Sequence, residues 1–132
     1  MTTTAADVLE RARRRIFRVG PRELAAIADA GGLVIDIRSE RQRLEQGELP
    51  GAIVIERNVL EWRLDPTSEH RAPQVDDHDR VVVVVCSEGY ASSLAAASLR
   101  DLGYQRVGDL VGGYQAWSSW FSGSAHQARG LS

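Results

Sequence analysis

Apolar and polar residues alternate along the chain in blocks, and these blocks predict strands and helices that follow one another in turn. Short apolar runs predict strands at residues 33–37, 52–55, 81–85 and 106–110. The five consecutive valines at 81–85 form a run too short for a helix and too uniformly apolar for a half-exposed strand. We therefore expect a central parallel strand that is buried on both faces.

The segments between the strands carry helix signals. Thr4, Ser39 and Asn58 belong to the residue types that cap helix N-termini, and Pro21 is of the type that favours the first helical turn. The predicted helices cover residues 5–17, 21–30, 40–46, a stretch after 58, 92–102 and a stretch from 112. Strands and helices in alternation are typical of an α/β sheet.

The chain divides into three predicted parts. Residues 1–15 form an N-terminal helix, 16–121 form one domain, and 122–132 form a flexible tail of small and polar residues. A chain of 132 residues fits a single domain, which at this size buries roughly two thirds of its unfolded surface. The arginine-rich run at 11–15 is expected to face solvent, and we assign it no function.

Composition narrows the classes of function. The net charge is −2, and all 16 cationic residues are arginines, so no overall basic field favours nucleic acid. No stretch approaches the roughly 20 apolar residues of a membrane span, and the N-terminus lacks a secretory signal. The single cysteine excludes an intramolecular disulfide. We expect a cytoplasmic protein that binds neither nucleic acid nor membranes.

The candidate for chemistry is Cys86, which directly follows the valine run. Ligands of open parallel sheets bind beyond the carboxyl ends of the strands, and Cys86 is expected at such an end. Only five residues separate it from the predicted helix at 92–102, and Gly89 lets their backbone curl around the sulfur. Amide groups at a helix N-terminus stabilise a thiolate or a bound anion. We expect a reactive thiol rather than a small buried apolar residue.

Five motifs in order resemble those of the rhodanese homology domain over about residues 16–121. They are 19–24 (VGPREL), 36–38 (DIR), 47–52 (GELPGA), the loop 86–91 (CSEGYA) and 112–117 (GGYQAW). The resemblance implies a single three-layer α/β domain, with a central, mostly parallel five-stranded sheet and helices on both faces. It also implies a structural role for Asp36 and Arg38, through charge-assisted hydrogen bonds that hold loops together.

The function that the resemblance implies is sulfur transfer. The cysteine takes sulfane sulfur from a small donor such as thiosulfate or a persulfide, holds it as a persulfide, and passes it on. Because the chain has no second cysteine, the acceptor is external: cyanide, a small thiol or a partner protein's cysteine. No metal or organic cofactor is implied. The catalytic residue is Cys86, and the expected substrate-binding residues are Ser87, Glu88, Gly89, Tyr90, Ala91, Ser92 and Arg57.

The loop departs from the family pattern at two positions. Many family members have arginine at the sixth loop position, where this chain has Ala91, and Glu88 adds an acidic group. If the Glu88 carboxylate faces the sulfur, it disfavours a thiolate and a bound anion. Arg57 follows another predicted strand and either returns positive charge to the pocket or is an ordinary surface arginine. Trp62 lines the mouth of the pocket or joins the core. If Glu88 instead points to solvent, its effect on the sulfur is absent, so the sequence leaves the efficiency of thiosulfate as a donor open.

Of two other functions, the first is disfavoured and the second remains open. A phosphatase or arsenate reductase of the same fold needs an arginine to grip its oxyanion, and neither Ala91 nor Ser92 makes a bidentate contact. The second alternative is a non-catalytic rhodanese-like module that binds a partner or senses sulfur or oxidants. His70, His78 and His126 have no metal-ligand spacing.

Overall fold

The structure, a computed structural model, describes residues 2–130 and the side chains of residues 2–123. Its centre is a five-stranded sheet in which every pair of neighbouring strands is parallel. The strands are β1 (Phe17–Val19), β2 (Leu33–Asp36), β3 (Ile53–Val54), β4 (Val82–Val85) and β5 (Val107–Leu110). Their order across the sheet is β1-β5-β4-β2-β3, so the valine strand lies in the middle, as expected.

Six α-helices and one short 3₁₀ helix surround the sheet within the described residues. They are α1 (Ala5–Arg13), α2 (Pro21–Asp29), α3 (Glu40–Gln46), the 3₁₀ helix (Arg57–Val59), α4 (Leu60–Leu64), α5 (Ala91–Leu102) and α6 (Gly113–Gly130). Thr4 and Ser39 cap α1 and α3 through capping boxes, as their residue types predict. None of the helices described here is both long and apolar enough to cross a membrane.

Two apolar cores lie on opposite faces of the sheet. Val82 and Val84 of β4 pack into the core that holds α4 and α5, while Val83 and Val85 pack into the core that holds α2 and the start of α6. Successive side chains of a strand point to opposite faces, so a strand in the middle layer needs apolar residues at every position. The expected three-layer α/β architecture is confirmed.

Several boundaries differ from the predictions. The first helix ends at Arg13 because Phe17 begins β1, an edge strand that pairs with β5 and that the apolar pattern alone did not reveal. Asn58 lies inside the 3₁₀ helix rather than at a helix cap. The last helix continues to Gly130, past residue 121, where the domain was expected to end; residues 131 and 132 lie outside the described part.

Candidate active site

Cys86 follows the last residue of β4 at the carboxyl edge of the sheet. Its Sγ accepts hydrogen bonds from the backbone N–H of Gly89 at 3.2 Å and from that of Ser92 at 3.3 Å. The side chain is largely enclosed, with Cys86 only 7% exposed. The loop between β4 and α5 therefore curls around the sulfur, as expected.

The start of α5 directs its free backbone groups toward this sulfur. The residue at the N-cap, Tyr90, provides no side-chain hydrogen bond to the first turn. The Ser92 N–H consequently remains available to Sγ, and the positive end of a twelve-residue helix lies behind it. Both features favour negative charge on the sulfur.

The loop is held tightly against the start of α6. Gly89 has φ +90°, and a Cβ on it would lie 2.8 Å from the Gly112 nitrogen. Gly113 has φ +61°, and a Cβ there would lie 2.5 Å from the Cys86 carbonyl oxygen. The Tyr114 N–H donates to that same carbonyl at 2.8 Å. Only glycine fits either position without a shift of backbone, so both serve to place the sulfur.

A buried polar network lies behind the loop, on the side away from solvent. The Asp109 carboxylate of β5 accepts from the Ser92 hydroxyl at 2.8 Å and from the Ser93 hydroxyl at 2.7 Å. Arg18 Nε donates to the same carboxylate at 2.8 Å. The Cys86 thiol donates to Ser92 Oγ at 3.2 Å, which joins the sulfur to this network.

Two arginines hold the loop from the N-terminal side. Arg13 Nη2 and Arg18 Nη2 donate to the Gly89 carbonyl at 2.8 and 3.0 Å. Arg13 was expected to lie on a solvated helix face, and that expectation is wrong because α1 packs against α5 and directs this side chain to the loop. The sequence carries no local signal for these contacts, since the partners lie more than 70 residues apart.

A pocket of about 440 Å³ opens over the sulfur. Its lining residues are Ile37, Arg38, Gln42, Gln46, Arg57, Cys86, Ser87, Glu88, Tyr90, Ala91 and Gln115. Both arginines in the lining are already paired. Arg38 is buried against Asp36 at 2.8 Å, and Arg57 binds Glu61 at 3.0 Å. Little positive charge is therefore left to receive an anion.

The expected site residues come together around this pocket. Ser87, Glu88, Tyr90, Ala91 and Arg57 line it with Cys86, while Gly89 and Ser92 bind the sulfur directly. The sequence reasoning missed Gln46 and Gln115, whose Nε2 groups donate to Ser87 Oγ at 3.0 and 3.2 Å. Neither glutamine stands out in the sequence, because glutamine is common on polar helix surfaces.

Trp62 neither lines the cysteine pocket nor belongs to the core. It is 60% exposed and borders a separate surface hollow with His70. The reason is that α4 spans only Leu60–Leu64 and buries its two leucines, which turns the tryptophan outward. Asp36 and Arg38 are buried and paired with each other, in keeping with a structural role. Within the described residues, no three potential metal ligands converge.

A family model called Rhodanese-like domain matches residues 20–119. This chain belongs to the rhodanese-like family. Among curated relatives of this rhodanese-like chain, thiosulfate sulfurtransferase GlpE of Pseudomonas entomophila is 31% identical over 110 residues, covering 83% of this chain and 92% of that protein. Adenylyltransferase and sulfurtransferase UBA4 of Candida albicans is 31% identical over 104 residues, which are 77% of this chain and 23% of that protein.

One solved structure resembles the rhodanese-like fold of this chain closely. It is a Rhodopseudomonas palustris protein of unknown function, described as a possible tyrosine phosphatase, with a TM-score of 0.79 and 29% identity. The match covers 90% of this chain and 92% of that one. Similarity therefore extends over almost the whole domain, and the family membership expected from the five motifs is confirmed.

Proposed function

We propose that this rhodanese-like protein is a sulfurtransferase that carries sulfane sulfur as a persulfide on Cys86. Relatives named thiosulfate sulfurtransferase support sulfurtransferase activity in general. The observation that carries the assignment to Cys86 is the pair of backbone N–H groups, of Gly89 and Ser92, that converge on its sulfur at the floor of the pocket. Such donors stabilise the anionic sulfur that both halves of the reaction require.

The first half-reaction loads the sulfur. Cys86 loses its proton to solvent, and the thiolate attacks the outer sulfur of the donor. With thiosulfate, the donor's S–S bond breaks and sulfite leaves with the bonding electron pair. With a small persulfide, the leaving group is the corresponding thiolate. The product in either case is a Cys86 persulfide, whose outer sulfur extends into the pocket.

The second half-reaction unloads it. A thiophilic acceptor attacks the outer sulfur, the S–S bond to Cys86 breaks, and its electron pair returns to Sγ as a thiolate. Cyanide leaves as thiocyanate, and a thiol acceptor leaves as a persulfide. Because Cys86 is the only cysteine of the chain, no internal thiol competes for the sulfur.

The charge of the pocket favours a donor other than thiosulfate. Arg38 and Arg57 each already bind a carboxylate, and exposed Glu88 forms no hydrogen bond or ion pair within residues 2–123. The lining thus has an uncompensated negative charge, which repels a dianion. The sulfur–sulfur group of a small persulfide has at most one negative charge, so this pocket repels it less than it repels thiosulfate.

Intact mass after incubation with a sulfur donor tests the proposal. Thiosulfate and a small persulfide are offered separately to the protein and to a Cys86→Ala variant, before and after cyanide. We expect the mass of one sulfur atom to appear, more completely with the persulfide, and to disappear with cyanide; Cys86→Ala should gain nothing. No gain from either donor, with Cys86 open to alkylation, would refute the proposal and favour a binding module.

A further inference from the structure

The hydroxyl of Ser92 bridges the reactive sulfur and a buried carboxylate. Ser92 Oγ lies 3.2 Å from Cys86 Sγ and 2.8 Å from Asp109 Oδ2. Ser92 and Asp109 are both fully buried, so water does not compete for either contact. A serine hydroxyl has one proton to donate, and its direction decides which form of the cysteine this contact favours.

The Ser92 hydroxyl donates its proton to a hydrogen bond with Asp109. Arg18 donates to the carboxylate with Nε and Nη2, at 2.8 and 3.3 Å, and Ser93 donates its hydroxyl to Oδ2 at 2.7 Å. In all of these contacts the carboxylate is the acceptor, as in other guanidinium–carboxylate pairs. The Ser92 proton therefore points to Asp109, and Ser92 Oγ presents a lone pair to the sulfur. A thiol S–H can donate to that lone pair, whereas a thiolate is repelled by it.

We propose that Asp109, acting through Ser92, opposes ionisation of the Cys86 thiol. Asp109 is a positioning residue, since it does not touch the sulfur. Its action opposes that of the Gly89 and Ser92 amides, which favour the thiolate. The site thus balances two influences, and the cysteine stays less reactive toward alkylating agents and oxidants than its amide cradle alone would make it.

The other charged groups around Cys86 do not offset Asp109. On the loop itself, Glu88 is exposed and adds negative charge. From the pocket side, Arg38 is paired with Asp36, and Arg57 with Glu61. From behind, Arg18 is paired with Asp109 itself, and Arg13 binds the Gly89 carbonyl. No free cation therefore faces the sulfur among these described groups.

The rate of Cys86 alkylation by iodoacetamide, followed by intact mass between about pH 6 and 10, tests this inference. The inference rests on Cys86 as the reacting residue of the proposed function. The alkylation test needs no sulfur donor, so the inference and the sulfurtransferase proposal can fail independently. In the plot of alkylation rate against pH, the plateau at high pH reports how accessible the Cys86 thiolate is to the reagent. The midpoint reports the protonation equilibrium of the Cys86 thiol. We expect Ser92→Ala to lower the midpoint by roughly half a pH unit, about a threefold faster rate near pH 7.

Two further variants separate this effect from a general disturbance. Asp109→Asn removes the charge and can donate to Ser92 Oγ, which frees the Ser92 proton for the sulfur, so its midpoint should fall further. Ser93→Ala removes a neighbouring hydroxyl bound to the same Oδ2 without touching Sγ, and its midpoint should move clearly less than that of Ser92→Ala. A raised or unchanged midpoint in Ser92→Ala, or an equal shift in Ser93→Ala, would overturn the inference, even if Asp109→Asn fails to fold.

Discussion

Glu88 is the residue that most distinguishes the electrostatics of this loop. Its side chain is exposed and lines the pocket together with Cys86 and two arginines that are already paired. A carboxylate at this place repels anionic donors through partly screened space, where one charge pair contributes about 1 kcal/mol. Removing the charge of Glu88 should therefore change how strongly the protein discriminates between anionic and less charged sulfur donors.

We predict that Glu88→Gln raises kcat/KM for thiosulfate by roughly three- to tenfold, since about 1 kcal/mol of repulsion is lost. The gain should shrink as ionic strength increases, because salt screens exposed charges. Steady-state thiocyanate formation at low and high salt measures it. Glu69→Gln, which removes an exposed charge away from the pocket, is the matched control and should change little. An equal gain in both variants would contradict the local role of Glu88.

At the residue scale, the sequence predicted the groups that lie next to Cys86 in the chain but not those that reach it from elsewhere. Cys86 to Ser92 form one continuous loop, so their shared location followed from the strand and helix signals at either end. Arg13, Arg18 and Asp109 reach that loop through the packing of α1 on α5 and of β1 on β5. Contacts between distant segments leave no mark on local spacing, so only the folded structure reveals them.

At the scale of elements, α1 holds the loop 86–91 in place through a hydrogen bond from Arg13. It lies before the span that the family model matches, residues 20–119, yet it packs along α5 and places Arg13 against the loop. Arg13 Nε also donates to Ser93 Oγ at 3.1 Å, so one side chain ties the loop to the first turn of α5. We infer that the helix helps to keep the sulfur cradle in shape.

We predict that Arg13→Ala lowers the free energy of unfolding by about 1–2 kcal/mol, because two partly buried hydrogen bonds are lost. Persulfide formation at Cys86 should slow as well, since the Gly89 carbonyl loses one of its two arginine donors and keeps only Arg18. Urea unfolding and single-turnover mass measurements read the two effects.

Arg14→Ala is the control within the same helix. Arg14 forms an exposed pair with Glu10 at 3.2 Å, and such pairs contribute at most about 0.5 kcal/mol. A loss in Arg14→Ala as large as that in Arg13→Ala would argue that helix α1 matters only through its general packing.

The elements themselves differed in how clearly the sequence predicted them. The valine strand was evident because a strand covered on both faces needs apolar residues throughout, a pattern that no amphipathic helix shares. The edge strand β1 was missed because it has only three residues, none of them fully buried. Short edge strands are defined by pairing with a neighbour rather than by their own composition, so their sequences carry little signal.

At the scale of the whole molecule, Tyr104 joins two helices on one face of the sheet. It follows α5 and is fully buried, and its hydroxyl donates to the Leu64 carbonyl at the end of α4, at 2.7 Å. Burial raises the pKa of Tyr104 to about 12, and the nearby carboxylates of Asp76, Asp77 and Asp65 add to that effect. The folded state therefore favours the neutral phenol over the phenolate.

A tyrosine whose pKa is raised by folding stabilises the protein fully below its unfolded pKa and loses that contribution as the pH rises through the folded value. We predict that the free energy of unfolding falls by about 2–3 kcal/mol between about pH 10 and 12 on account of Tyr104. Urea unfolding across this range measures the decline. In Tyr104→Phe the free energy of unfolding should fall less steeply with pH, whereas in Tyr90→Phe, at an exposed tyrosine, it should fall as in the wild type. Equal slopes in the wild type and both variants would exclude Tyr104 as the source of the decline.

The order of the strands has one further consequence, for contacts between copies of the chain. The two strands at the outer edges, β1 and β3, have three and two residues, while the longer strands are enclosed between neighbours. An incoming strand gains hydrogen bonds only along the unpaired edge that it meets. Edges this short offer a second chain few backbone hydrogen bonds. The sheet therefore resists extension by another copy's edge strand, which is one common route to aggregation.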